Sequence, residues 1–116
     1  MPEGSQTISE TVSAVADGRL SSRQWVEHCL ERVHSNEALG SWSFIDEARA
    51  LERADQMDQI RKDGSALGAL HGCPIGVKDI IEVKAMPHGC GSPLMGRVSD
   101  QNAVLVDALE VAGAII

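Results

Sequence analysis

Leu70-His71-Gly72-Cys73-Pro74-Ile75-Gly76-Val77-Lys78-Asp79-Ile80-Ile81-Glu82-Val83 is the stretch on which the reading of this chain turns. Pro74 to Lys78 predicts a short buried strand, because an apolar run of this length bounded by glycine and proline suits a covered sheet position. A lysine at the end of such a run loses hydration. Desolvation disfavours the ammonium, so a neutral amine becomes available as a base. Lys78 is therefore a candidate base, expected mostly buried at a strand end with its amine facing a cleft; on these residues alone, an ordinary strand-end lysine reaching water is the commoner case. Side chains alternate along a strand, so Asp79 points away from Lys78 and reads as a structural carboxylate bonding loop amides.

Downstream, residues 84–99 (KAMPHGCGSPLMGRVS) are too glycine-rich for regular structure and long for a connector, a pattern common in functional loops. Asp100 is expected to cap a helix with Val104, Leu105, Ala108, Leu109 and Ala112 inward. Gly113 stops that helix, and Ala114-Ile115-Ile116 begins another strand. Strand, loop, helix and strand make a parallel crossover unit.

Upstream, the texture is helical. Thr7-Ile8-Ser9-Glu10 and Ser21-Ser22-Arg23-Gln24 are capping boxes. Ile8, Val12 and Val15 share one face of the first helix, which Gly18 ends. Val26, Cys29, Leu30 and Val33 form the stripe of the second, broken at Asn36 to Gly40. Trp42-Ser43-Phe44-Ile45 is a short strand candidate. Residues 46–63 form a third helix with Ala48, Leu51, Ala54 and Met57 at helical spacing, a solvated charged face and Gly64 as its stop.

The 70–83 stretch resembles the first signature block of the amidase-signature family. That block runs approximately leucine-histidine-glycine-X-proline-isoleucine-glycine or alanine-valine-lysine-aspartate. The likeness continues through Met86-Pro87 and Gly89-Cys90-Gly91-Ser92-Pro93, and resumes at Asp100 and at Ala112 to Ile116. Gly18-Arg19-Leu20-Ser21-Ser22 is similar to the family's opening. His88 stands where threonine is commoner, and Cys73 replaces an aliphatic residue. The resemblance implies an α/β fold, a mixed sheet with helices on both faces, here truncated after about three strands. Residues 1–116 would be the N-terminal portion of one domain, helical over 1–64 and strand–loop–helix–strand over 65–116.

The resemblance also implies a chemistry. In the family a serine, a cis-peptide serine and a lysine form a proton relay, and the serine attacks an amide carbonyl to give an acyl-enzyme. Lys78 would be the relay's base. The glycine- and serine-rich block that supplies both serines in the family would fall beyond Ile116, so the chain alone is expected to be inactive. The substrate would be a small-molecule amide, and no metal or organic cofactor is implied. Ser92 lies in what the family uses as a supporting loop and lacks a nucleophile-elbow context.

Two other readings compete. A non-catalytic module or subunit, for example of a glutamine-dependent amidotransferase, would dock through its unfinished last strand, either as a homo-oligomer or on a partner. A zinc module would use the echo His71-Gly72-Cys73 and His88-Gly89-Cys90, but paired structural zinc ligands usually have two to four residues between them, and here there is one.

Composition closes off further classes. The net charge of −7, with no basic cluster and only three aromatics (Trp25, Trp42 and Phe44), argues against nucleic acid and anionic membrane surfaces. No apolar run approaches the roughly 18 residues of a spanning helix. The polar opening from Met1 to Glu10 is unlike a signal peptide. Cys29, Cys73 and Cys90, an odd count without a paired spacing, fit a reducing compartment, so a cytoplasmic location is expected.

Overall fold

The structure, a computed structural model, describes residues 6–116. The part of the polar opening from Met1 to Ser5 lies outside the described residues. Both predicted capping boxes form. Helix α1 spans Ile8–Ala16, with Thr7 and Glu10 satisfying each other's backbone amides. Helix α2 spans Ser22–Ser35, with Ser21 and Gln24 in the same reciprocal arrangement. A 3-10 turn over Glu37–Leu39 and a left-handed Gly40 end this part of the chain. Helix α3 spans Glu47–Lys62, capped by Asp46 and stopped before Gly64, which sits at φ +73°.

These helices pack by their stripes. Val26 of α2, Ala54 and Met57 of α3, and Ile115 form one core cluster, with Leu30 and Leu51 against it. Val15 of α1, Trp25 of α2 and Cys73 form the other, joined by Val12, Cys29, Leu70 and Ile75. Helix α2 thus serves both clusters. Two stripe members prove peripheral: Ile8 and Ala48 are exposed, the first because it opens its helix beyond the packed turn.

The expected crossover unit is present as a narrow parallel pairing. Ile75 N–H donates to the Ile115 carbonyl at 2.8 Å, and Ile115 N–H donates to the Cys73 carbonyl at 2.8 Å, making a parallel bridge of Pro74 with Ile115. Leu70 and Gly72 donate to the Ala112 and Gly113 carbonyls, both at 2.9 Å. The expected strand over Pro74 to Lys78 therefore shrinks to one paired residue, since the chain beyond Ile75 has no ladder neighbour among the described residues. Trp42 to Ile45 is likewise no strand, for the same want of a pairing edge.

Residues 84–99 differ from expectation in the other direction. The segment holds a small antiparallel pair, β1 (Pro87–His88) with β2 (Arg97–Val98), in the register Pro87 opposite Val98 and His88 opposite Arg97. Its glycines serve the turn between the strands rather than dissolving them, with Gly91 at φ +68°. Helix α4 spans Val104–Val111 and has no side-chain cap. Asp100 does not cap it. The chain before α4 is instead tied to the 82–84 segment, where Ala103 N–H donates to the Glu82 carbonyl and Lys84 N–H to Asn102 Oδ1. This anchoring rotates α4: Val106 is buried, while Val104, Leu105 and Ala108 of the expected inward face are exposed. Gly113 ends α4 at φ +93°, as expected.

Candidate active site

The segment leading to Lys78 is clamped from both sides. Gly72 adopts φ +75°, and a Cβ there would lie 2.2 Å from Ser22 Oγ at the start of α2. His71 is 3% exposed, and its Nε2–H donates to the Met57 carbonyl at 2.9 Å. Leu70 to Ile75 is thereby held against α2, α3 and the 112–115 segment together. After Ile75 the chain runs outward under Trp42, whose ring would meet a Cβ on Gly76 at 2.6 Å. A turn then reverses it, with Ile81 N–H donating to the Lys78 carbonyl at 2.9 Å.

Lys78 sits at that turn, and its side chain is exposed. The expected burial and the cleft are not present: with no further strand beside it, nothing among the described residues covers the amine. Its neighbour behaves as expected. Asp79 Oδ1 accepts the Gly89 N–H at 3.0 Å, tying the lysine turn to the loop ten residues on. The approach is close enough that a Cβ on Gly89 would come within 2.8 Å of Asp79 Oδ2.

The echoed histidines and cysteines do not converge. His71 and Cys73 are buried in the helical layer, bonded and packed as above. His88 and Cys90 lie in the β1 loop, in contact with each other at 3.3 Å. Among the described residues no group of three or more histidine, cysteine or acidic side chains is placed to hold a metal ion. Ser92 Oγ accepts the Leu94 N–H at 3.3 Å, a local turn contact.

Two features escaped the sequence reading. Asp58, on the supposedly solvated face of α3, is 7% exposed, and its carboxylate accepts the Ser22 and Arg23 N–H groups at 2.7 and 3.1 Å. It caps α2 from another helix, the favoured place for an anion. A separation of 36 residues gives no local signal for this. The second is the His88–Cys90 contact, whose only sequence trace was the echo.

The Amidase family model matches residues 24–116, and the chain belongs to the amidase-signature family. It is 34% identical over 111 residues to mandelamide hydrolase of Pseudomonas putida, covering 95% of this chain and 22% of that protein. It is 32% identical over 112 residues to a subunit of the glutamyl-tRNA(Gln) amidotransferase of Chloroflexus aggregans, covering 95% of this chain and 23% of that one. The native peptide amidase of Stenotrophomonas maltophilia superposes with a TM-score of 0.90 at 27% identity, over 98% of this chain and 24% of that enzyme. The fold is thus the α/β amidase-signature fold, and the chain spans about a quarter of the length of the relatives it matches.

Proposed function

We propose that this chain contributes the lysine of an amide-hydrolysing serine–serine–lysine relay. Lys78 would act as the base, in its neutral form taking the nucleophile's proton through the intermediate serine. The observation that carries this is Lys78 at the end of a doubly clamped signature segment, on a turn tied by Asp79 to the Gly89 loop. Both relay serines, and the cover that would desolvate the amine, would come from the three quarters of the relatives' length this chain does not span. Residues 1–116 would then form the N-terminal portion of a single domain. The substrate class is a linear, small-molecule amide. A cytoplasmic location fits three free cysteines, and no helix among the described residues is long and apolar enough to cross a membrane.

The test is hydrolysis of a simple aryl amide by the reading frame that contains this chain, with Lys78→Ala beside it. Loss of turnover with unchanged folding supports the relay. The likeness to an amidotransferase component favours a second version, in which the acyl group comes from glutamine and the ammonia passes to a partner. Glutaminase activity that rises when a partner protein is added would favour that version over free hydrolysis.

A further inference from the structure

Two of the three cysteines have thiols raised by their surroundings. Burial pushes the Cys29 thiol above its ordinary value, against the opposing pull of the Arg32 guanidinium. Burial also raises Cys73, and the neighbouring Cys29 adds to it. Cys90 differs. Half-buried like Cys29, it sits in the left-handed region at φ +51°, a backbone conformation that side chains other than glycine adopt at a cost. That conformation places Sγ 3.3 Å from His88 Nε2.

His88 is oriented for a base. Its side chain is 11% exposed, and its Nδ1 is buried without a hydrogen-bond partner. Glu82 Oε1 lies 4.0 Å from Nδ1, at ion-pair distance for a protonated ring. That carboxylate also takes a 2.7 Å contact from Arg97, so its charge is shared. The Asp79 carboxylate reaches the same loop through the Gly89 amide. The thiol thus touches one nitrogen of an imidazole whose other nitrogen has a carboxylate within ion-pair distance, so a proton passed from sulfur to the ring is stabilised there.

We propose that Cys90 is a modification site for soft electrophiles, such as alkyl halides and Michael acceptors, with His88 as the base that receives its proton and Glu82 as a positioning residue. With iodoacetamide, the Cys90 proton passes to His88 Nε2. The sulfur lone pair forms the new S–C bond, the C–I bond breaks, and iodide leaves with its electron pair. The proposal does not rest on the Lys78 relay.

The experiment is timed labelling of the folded 116-residue chain with iodoacetamide near neutral pH, read by mass spectrometry of the three cysteine peptides. Cys90 is expected to react at least about tenfold faster than Cys29 or Cys73, with the difference vanishing in denaturant. His88→Gln should slow Cys90 by about tenfold or more while leaving the other two unchanged, which separates base assistance from exposure. Should that variant fail to fold, Glu82→Gln decides: it leaves thiol and imidazole in place and should slow Cys90 several-fold. Equal labelling of all three cysteines would overturn the proposal. So would a Cys90 rate indifferent to the histidine, or, where only Glu82→Gln folds, to the glutamate.

Discussion

Single atoms leave the signature segment little room. At Gly72 a positive φ coincides with a backbone–helix approach that leaves no room for a methyl group. Gly72→Ala is expected to cost about 1–3 kcal/mol, from strain at that φ and overlap with Ser22, read as a shifted urea midpoint. Asp58 is the second such point. Its carboxylate occupies the first turn of α2, so Asp58→Ala should lose about 1–2 kcal/mol, as removal of a strong cap does. Lys78 should behave oppositely. It is exposed and packs on little, so Lys78→Ala should leave the urea midpoint within about 0.5 kcal/mol of the parent. That contrast separates residues that build the segment from the one proposed to use it.

Among the elements, α1 offers a pH test. Hydrogen bonds from the Thr7 backbone amide and then its hydroxyl hold the Glu10 carboxyl below the ordinary glutamate value, outweighing slight desolvation. A carboxyl lowered by folding adds stability above its unfolded value and loses it as pH falls through the folded one. The helical circular-dichroism signal should therefore decline as pH drops below the glutamate range, and Glu10→Gln should shrink that decline. Sequence legibility follows the same division. The two capping boxes span four residues each and were readable because their chemistry is local. Around Lys78 the block made the Asp79 carboxylate legible as a loop-binding group, which its bond to the Gly89 amide bears out. What failed depended on distant partners: whether Trp42 to Ile45 finds a strand to pair with, which way α4 rolls once Asn102 and Ala103 are anchored, and whether Lys78 is covered.

The whole molecule is less compact than its length suggests. Its radius of gyration is 14.8 Å, against about 13 Å for a globular domain of this size. Large apolar side chains on α4 and the β1–β2 turn, among them Val104, Val111 and Leu94, stand in solvent. The two core clusters meet through α2 and through the pairing of Cys73 and Ile75 with Ile115, and each is built from few buried side chains. Met57→Ala, at the centre of one cluster, should cost about 2–5 kcal/mol, a large share of the 5–15 kcal/mol typical of a domain. Val111→Ala, on the exposed face, should change stability by less than about 0.5 kcal/mol. Parallel thermal melts of the two variants check both values.

The relay itself is tested most directly by amide turnover with and without the lysine. In the reading frame that contains this chain, Lys78→Ala is expected to lower kcat by about 10⁴-fold or more, as removal of a relay member does, while the melting temperature stays put. The 116-residue chain by itself is expected to show no turnover above buffer. Turnover by the product of that reading frame that survives Lys78→Ala, or amide hydrolysis by the 116-residue chain that is unchanged by the same substitution, would contradict the assignment of Lys78 as the base.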